Sequence, residues 1–338
     1  MNHCFSSSSK ATQADINRLL RIVAVPLIAA AFVCTPAVAA DAYPSKTVKV
    51  VVNYPPGGPI DVIARLVANK LEGSLKHTVV VENTSGAGGN IGAGNVARAA
   101  ADGHTILFSI DAPFTMNPAL YPSMPFKAND LKPVTLLGHA GSTIAVNAST
   151  GINSLKELVA KAKQEPVTFS SAGNASPGHI AAAMLANAAG IKEINHIPYR
   201  GNSPAVIAVV SGEVQAGILA TTGLLPHITS KKVKPLAVAA AERSLLLPDV
   251  PTTKELGFPD VQMEFMFVAM VPAKTPDTIV NTLHKEIGAA LSQPDVQERL
   301  KTLDIVPGNL SPTQTAERMA KASERYSKVI KSTGMKAE

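Results

Sequence analysis

Residues 48–75 constrain the fold more than any other part of the sequence. The apolar run Val48–Val52 predicts a buried strand, and apolar residues recur at helical spacing from Ile60 onward. The loop Tyr54–Asp61 lies between them, with two glycines and with Pro59 at a position that suits the first residue of a helix. A helix that starts there directs free N–H groups into the loop, which makes a natural anion site. A tight turn without a ligand is the other interpretation of this loop alone.

Strand and helix patterns alternate along the rest of the chain, which is typical of an α/β fold with mostly parallel sheets. The arrangement of strand, polar loop and helix start recurs at Ser171–Gly178 and at Tyr199–Ser203. Ligands bind at the carboxyl ends of strands in open α/β sheets. We therefore expect the three loops to line a cleft between two domains, where helix N-termini would suit a carboxylate.

Several element boundaries can be predicted from the same patterns. A helix is expected to end near Ala101, and the signature Ser-x-x-Glu at Ser154 predicts a capping box. Helix starts are predicted at Ser176-Pro177, Ser203-Pro204, Thr275-Pro276 and Ser311-Pro312, with a stop at Gly334. Strands are predicted at 78–81, 105–110, 133–137, 143–146, 167–170, 194–198, 214–219, 235–239 and 265–271.

The first 40 residues have the pattern of a secretory signal peptide. Basic residues precede an apolar run from Ile22 to Val33, and small residues allow cleavage after Ala39 or Ala40. The run is too short to span a membrane, so we expect export to the periplasm. The remaining length supports two domains. The first is expected to combine residues 41–142 and 267–338, and the second to comprise residues 143–266.

Composition excludes several functional classes. Both cysteines, Cys4 and Cys34, lie in the leader, so the mature chain has no disulfide and no Cys nucleophile. Its charges are mixed, and no basic block suggests a nucleic-acid partner. No two histidines have metal-ligand spacing. We therefore expect no metal and no cofactor.

Two motifs are similar to enzyme signatures. Gly92–Ala97 matches the G-x-G-x-x-A dinucleotide fingerprint, with Asp111 downstream, but a fingerprint must directly follow a strand. Since the preceding strand is predicted to end near Glu82, we expect these glycines inside a helix, where they help it pack. Gly201–Ala205 is close to a nucleophile elbow. An exported serine hydrolase or esterase that uses Ser203 is the alternative to a binding protein.

A series of short motifs extends over the mature chain from Tyr43 to Gly334. They are Tyr54–Gly58 with Asp61, Val81–Asn83 with Gly86–Gly89, Asp102-Gly103, Asn117-Pro118, Ser171–Gly173 with Ser176 and His179, His196–Gly201 with Pro204-Ala205, and Leu247–Thr252. With these motifs in this order, the sequence resembles the extracytoplasmic solute receptors of tripartite tricarboxylate transporters, the Bug or TctC-type proteins. Each motif is weak alone, but their number and order make a specific signal.

The resemblance implies a type II-like periplasmic-binding-protein fold, in which two α/β domains are joined by crossing strands. Such a protein closes like a Venus flytrap on a small carboxylated solute and does no chemistry. The resemblance also implies delivery of the solute to the membrane permease subunits of a tripartite tricarboxylate transporter. Family members hold a ligand carboxylate largely with main-chain groups and water near the first strand–helix loop. We expect a monomer.

Candidate ligand-binding residues lie in the predicted loops. Asp61 bounds the pocket or is only a dipole partner of its helix, paired with Arg65. Ser171 is a candidate hydroxyl donor, and Ser176 fits both a helix cap and the pocket rim. Arg200 could hold a second carboxylate or could be a solvated loop cation. The full set is Tyr54, Pro55, Gly57, Gly58, Asp61, Gly86, Ala87, Asp111, Ser171, Gly173, Ser176, Tyr199, Arg200 and Thr221.

The sequence departs from the family pattern at several positions. Ala208 stands where the family usually has Asp, and Gln215 stands at another acidic position. Ala175 replaces a preferred Gly, and the Trp before the return strand is absent, with Phe265 in that region. These departures predict an altered distal pocket, so the family does not identify which carboxylate is bound.

Overall fold

A computed structural model describes residues 43–336 of the chain. The predicted signal peptide lies outside the described residues. The strands are β1 (Val48–Val52), β2 (Val79–Asn83), β3 (Thr105–Ile110), β4 (Leu131–Asn147), β5 (Thr168–Ser171), β6 (Asn195–Pro198), β7 (Ala216–Ala220), β8 (Val233–Ala239), β9 (Glu264–Pro272) and β10 (Val306–Pro307). The α-helices are α1 (Pro59–Leu75), α2 (Asn90–Ala97), α3 (Ala112–Thr115), α4 (Asn117–Leu120), α5 (Leu155–Gln164), α6 (Pro177–Ala189), α7 (Asn202–Ser211), α8 (Thr221–Thr229), α9 (Asp277–Leu291), α10 (Pro294–Thr302) and α11 (Pro312–Thr333).

The strands form a mixed sheet in the order β2-β1-β3-β9-β4-β7-β5-β6, with β8 and β10 also paired to β4. At one end β1 runs parallel to β2 and β3, and at the other end β5 runs parallel to β6 and β7. The two long strands in the middle, β4 and β9, run antiparallel to their neighbours. Two parallel arrays are thus joined by antiparallel crossing strands, whereas the sequence predicted mostly parallel pairing throughout. We call β1, β2 and β3 the first array, and β5, β6 and β7 the second array.

Strand β4 is continuous over 17 residues. The prediction of two separate strands there was wrong, because the small residues between them stay extended and keep their partners. Gly141 pairs with Glu264 of β9, and Ser142 pairs with Ala220 of β7. Gly138 lies so close to β10 that an added Cβ would be 2.9 Å from the Val306 carbonyl oxygen. The middle of β4 consists mostly of small residues that pack closely against other segments, so it lacks the run of large apolar side chains from which a strand is predicted.

Helix α1 matches its sequence prediction at both ends. Its apolar face includes Ile60, Ile63 and Leu71, which are at most 1% exposed and belong to a core with strands β1 and β3. Fully burying a side chain of this size stabilises the fold by roughly 1.5–3 kcal/mol. The beginning of α1 is therefore anchored firmly behind the loop that precedes it.

Helix boundaries follow their caps where the cap chemistry is complete. Ser311 and Gln314 form a full capping box before α11, and Gly334 ends that helix in a left-handed conformation at φ +67°. Ser154 caps α5 through the Glu157 N–H at 3.2 Å. The Glu157 carboxylate instead accepts a hydrogen bond from the Asn153 N–H, so the predicted box is incomplete. Helix α2 ends at Ala97, before the predicted Ala101, and α7 begins at Asn202 rather than at the predicted Ser203-Pro204.

The predicted domain boundaries near residues 142 and 266 both fall inside the crossing strands β4 and β9. The division into two domains remains a prediction. Between residues 43 and 336, no helix combines the length and the apolar character needed to cross a bilayer.

Candidate ligand-binding cleft

A cavity of about 280 Å³ lies where the two parallel arrays meet the crossing strands. Residues of all three predicted loops, or residues next to them, reach its wall. The lining residues are Pro59, Ile110, Ala140, Gly141, Ser142, Ala172, Pro177, Gly178, Asn202, Ile218, Leu219, Ala220, Thr221, Thr222, Phe265, Phe267, Leu303, Asp304 and Ile305. We call this cavity the cleft.

Helices α1, α6, α7 and α8 begin at the wall of the cleft. Pro59 starts α1, Pro177 starts α6, Asn202 starts α7 and Thr221 starts α8, and all four residues line the cavity. The first N–H groups of a helix have no acceptor within that helix, and the dipole makes this end positive. Among the described residues, no Lys, Arg or His lines the cleft. The donors that the wall offers are therefore main-chain N–H groups and neutral side chains such as Asn202 and Thr222.

Close packing places two of these helices. An added Cβ at Gly178 would be 2.2 Å from the Ile218 carbonyl oxygen, so only glycine lets α6 begin this close to β7. Asn202 ties α7 to α8, since its Oδ1 accepts a hydrogen bond from the Ala220 N–H at 3.0 Å. Gly223 makes room for that side chain, because an added Cβ there would be 2.4 Å from the Asn202 Nδ2. The helix starts are thus held in register with each other.

The rest of the wall is mostly apolar. Phe265 and Phe267 from β9 contribute aromatic surface beside the small residues of β4. Thr221 Oγ1 lies 2.9 Å from Thr143 Oγ1 and shares a hydrogen bond with it. Ser142 is 1% exposed and lines the same wall. Such a wall fits a small molecule with a hydrocarbon body and a few polar groups.

The loop Tyr54–Asp61 is closed by hydrogen bonds to its own carboxylate. Asp61 accepts hydrogen bonds from the Gly57 N–H at 3.0 Å, from Asn83 Nδ2 at 2.9 Å and twice from Arg65 at 3.0 Å. Burial opposes ionisation of this carboxyl, but these donors outweigh it and lower the pKa of Asp61 to about 2. Asp61 therefore holds the loop in shape, and the adjacent Pro59 reaches the cleft.

Four other candidates follow the strands of the first array, where Tyr54 begins this loop and Gly86, Ala87 and Asp111 lie outside it. The Tyr54 hydroxyl donates to the Gly88 carbonyl at 3.1 Å, next to Gly86 and Ala87 in their turn. Asp111 is 2% exposed and accepts hydrogen bonds from the Met266 N–H and the Thr115 hydroxyl. Burial raises the pKa of Asp111 to about 7, despite these donors. It joins β3 to β9, while the preceding Ile110 lines the cleft.

The second loop carries a hydrogen-bonded cluster behind the cleft. Ser171 Oγ lies 2.7 Å from His196 Nε2, and it accepts a hydrogen bond from Ser176 Oγ at 3.0 Å. The rings of His179 and His196 stack with centroids 3.7 Å apart. Burial and the neighbouring His179 lower the pKa of His196 to about 4, and burial also lowers the pKa of His179. Ser171 and Ser176 are thus occupied within the loop, and Ala172 between them faces the cleft.

These two histidines line a separate cavity of about 450 Å³ on the other side of the loop. Its wall contains Lys192 and Lys336 and alanines of α6, including Ala183. We call it the histidine cavity. It has the cationic side chains that the cleft lacks.

Tyr199 and Arg200, at the beginning of the third loop, do not line the cleft. The Tyr199 hydroxyl donates to Glu213 Oε1 at 2.8 Å, and burial together with this bond raises the pKa of Tyr199 to about 12. Arg200 is exposed and forms no hydrogen bond or ion pair with the described residues. Asn202, three residues after Tyr199, is the part of this loop that reaches the cavity.

Within residues 43–336, Thr221 is the one candidate predicted from the sequence that lines the cleft. Pro55, Gly57, Gly58 and Gly173 do not line the cleft, although other residues of their loops do. Sequence reasoning missed Asn202, whose position at the start of α7 was a usable signal. It also missed Ser142 and Asp304, which reach the cleft only through the crossing of distant segments.

The departures from the family pattern have clear structural positions. Ala175 has φ +53°, a left-handed conformation that favours the glycine preferred there. Ala208 is 2% exposed in the core beneath α7, and Gln215 Oε1 accepts a hydrogen bond from the Thr168 N–H. Neither Ala208 nor Gln215 lines the cleft, and their effect on a distal pocket stays a prediction. Phe265, from the region that lacks Trp, does line the cleft.

The enzyme-like motifs lack the context that their chemistry requires. Gly92 and Gly94 lie inside α2, as expected, and an added Cβ at Gly92 would be 2.5 Å from the Thr84 carbonyl oxygen. Ser203 is exposed and forms no hydrogen bond with a His or a carboxylate within residues 43–336. The same residues contain no group of three or more His, Cys, Asp or Glu that could hold a metal ion.

Comparison with known proteins now decides the family. The model of the tripartite tricarboxylate transporter family receptor matches residues 63–335. This chain belongs to that family. It is similar to protein BugT of Bordetella pertussis, with 36% identity over 326 residues, which cover 95% of this chain and 99% of BugT.

Solved structures agree with this assignment. The chain is similar to the periplasmic binding protein BugD, with 32% identity and a TM-score of 0.68 over 88% of this chain and 100% of BugD. It is also similar to MatC from Rhodopseudomonas palustris with bound malate, with 29% identity and a TM-score of 0.68 over 85% of this chain and 100% of MatC. The fold of this family member is that of a periplasmic binding protein, and its relatives are solute-binding receptors rather than enzymes.

Proposed function

We propose that this protein is a periplasmic receptor that binds a small carboxylated organic acid in the cleft. The observation that carries the proposal is the convergence of α1, α6, α7 and α8 on one cavity whose described wall has no cationic side chain. Main-chain N–H groups and helix dipoles stabilise a carboxylate at such a point. The apolar surface of Phe265 and Phe267 then suits the hydrocarbon part of the acid. Malate in the similar MatC supports this ligand class.

In this proposal the solute enters an open cleft and its carboxylate docks at the start of α1. The second array then closes over it, through the segment Leu219–Thr222 and the loops that begin at Ser171 and Tyr199. The rigid Tyr54–Asp61 loop forms the fixed side of the site. The predicted leader exports the protein, and the closed receptor delivers its solute to the membrane permease of a tripartite tricarboxylate transporter.

A thermal-shift screen of the mature protein, residues 41–338, tests the binding step. The protein is unfolded and refolded first, so that any acid bound during expression is removed. An acid present at a thousand times its dissociation constant should stabilise the native state by about 4 kcal/mol, which raises Tm by several degrees. We expect a shift confined to a group of carboxylic acids, without consumption of the acid. A flat response across the panel would contradict the proposal.

The delivery step needs a separate test in cells. Uptake of the acid identified in the screen is measured with and without the receptor. We expect high-affinity uptake to be lost without it. Unchanged uptake would contradict delivery to a transporter and would leave the binding result intact.

A further inference from the structure

Asp304 is an unusual residue in the wall of the cleft. It is 4% exposed, and within the described wall it is the ionisable side chain that lines this cavity. Its Oδ1 accepts hydrogen bonds from Ser244 Oγ at 2.7 Å and from the Leu246 N–H at 3.2 Å. No hydrogen bond to Oδ2 and no ion pair to Asp304 occur within residues 43–336. Half of this buried carboxylate is therefore available.

The position of Asp304 in the chain is unfavourable for an acidic residue. It follows the end of α10 with φ +58°, a left-handed conformation that favours glycine. The Asp304 N–H donates to the Lys301 carbonyl and the Ile305 N–H to the Leu300 carbonyl, which is the Schellman arrangement of a helix C-terminus. The helix dipole is negative at this end and repels a carboxylate.

Arg243 and His139 lie near Asp304, but neither forms an ion pair with it. Behind the cleft, Asp304 also lines a cavity of only about 10 Å³, together with Arg243. That guanidinium is already bound to the Glu255 carboxylate and to the Pro248 carbonyl. A buried carboxylate without an ion pair, on a left-handed backbone at the negative end of a helix, is an unfavourable local arrangement. Local features of this kind concentrate at functional sites.

We propose that Asp304 binds an ammonium group of the ligand, so that the receptor selects organic acids that also carry an amine. The inference rests on the proposed function and deepens it. The helix N-termini bind the carboxylate, and the wall at residues 303–305 binds the positive end of the same molecule. A second carboxylate placed at that wall would be repelled.

Matched sets of acids test the selection by calorimetry on the mature, refolded protein. Each set has one carbon skeleton, as in succinate, malate and aspartate, or in glutarate, 2-hydroxyglutarate and glutamate. We expect the amino acid of at least one set to bind about tenfold to a hundredfold tighter than the unsubstituted acid, with the hydroxy acid between them.

Two variants connect this preference to Asp304. Asp304→Asn keeps an oxygen acceptor for Ser244 and tolerates the left-handed backbone, so the fold should persist. We expect it to lose the preference for the amine while unsubstituted acids bind as well or better. Asp304→Gly is a second variant that suits the backbone, and we expect the same loss. Asp260→Asn, at an exposed carboxylate, is the matched control and should keep the preference.

The outcomes separate this inference from the proposed function. If unsubstituted acids bind the native protein as tightly as their amino counterparts, or if no amino acid of the sets binds, the inference is overturned while the receptor proposal stands. A preference that survives in Asp304→Asn or Asp304→Gly also overturns it. If no acid of any kind binds, the proposed function fails as well.

Discussion

The cleft and the histidine cavity teach different lessons about where an anion can bind. The histidine cavity is larger, at about 450 Å³ against about 280 Å³, and its wall contains Lys192, Lys336 and two histidines. The described wall of the cleft has none of these residue types, yet α1, α6, α7 and α8 begin there. Size and cationic side chains favour the histidine cavity as the anion site, whereas main-chain geometry favours the cleft. We propose the cleft as the solute site because oriented N–H groups need no counter-ion and lie beside apolar surface.

Filling each cavity with a large side chain should distinguish most strongly between the cleft and the histidine cavity as the solute site. Ala172→Phe places an aromatic ring in the cleft, and Ala183→Phe places one in the histidine cavity. We expect Ala172→Phe to weaken binding of the acid found in the screen by about a hundredfold or more, which corresponds to about 3 kcal/mol. Ala183→Phe is the matched control and should change affinity by less than about threefold. Calorimetry measures both, and the reverse ranking would move the site to the histidine cavity.

A methyl group added at the start of α6 should displace that helix and so change the shape of the cleft. Gly178→Ala brings a Cβ to 2.2 Å from the Ile218 carbonyl oxygen, so α6 must shift. We expect the free energy of unfolding to fall by about 1–3 kcal/mol, with weaker solute binding. Gly73→Ala is the control, because its Cβ meets no atom within 4 Å in α1, and it should stabilise by about 0.5–1 kcal/mol. Equal effects of the two substitutions in denaturant titrations would refute the close approach.

As the pH falls, protonation of His196 in the wall of the histidine cavity should destabilise the folded protein, whereas the helix N-termini at the cleft do not titrate. The pKa of His196 in the folded protein is about 4, below its ordinary value of 6.5, so the unfolded chain binds the proton first. The stabilisation is present above pH 6.5 and is lost as the pH falls from 6.5 to about 4. Asp111 has the opposite effect in this window, because its raised pKa favours the folded state as the pH falls, so the contribution of His196 is measured as a difference between proteins. We expect the native protein to lose about 1–2 kcal/mol relative to His196→Asn in this window, after allowance for solvent screening. His196→Asn should flatten the profile, and an unchanged profile in that variant would assign the effect elsewhere.

Removal of an exposed cation should have the smallest effect. Arg200 is exposed and unpaired among the described residues, and its neighbour Asn202 forms the wall. We expect Arg200→Ala to change solute affinity by less than about threefold. A loss of tenfold or more in calorimetry would show that Arg200 contacts the ligand after closure, and the main-chain account of binding would then be incomplete.

Local features of the sequence predicted the first array well. The apolar run at Val48–Val52 and the proline at Pro59 determine both ends of β1 and the start of α1. Capping chemistry at Ser311 and the glycine at Gly334 likewise determine α11. These signals depend on only a few neighbouring residues, so they can be recognised without knowing which distant segments pack against them.

The features that the sequence did not reveal depend on distant partners. The centre of β4 stays extended because residues around Gly141 pair with β7, β8 and β9, which no local pattern shows. Residues of all three predicted loops line the cleft, but the side chains of Asp61 and Ser171 form hydrogen bonds inside their own loops. Pro59 and Ala172 reach the cleft instead. Asp304 gave no signal, since its cavity exists only when residues 303–305 lie beside residues of β4 and β9.

A crystal structure of the protein with the acid that gives the largest thermal shift tests the central claim most directly. The account predicts one carboxylate of that acid in the cleft, within hydrogen-bond distance of N–H groups in the first turns of α1, α6, α7 or α8. Its carbon chain should lie against Phe265 and Phe267. Density for the acid in the histidine cavity, with its carboxylate on Lys192 or on His179 and His196, would contradict the account.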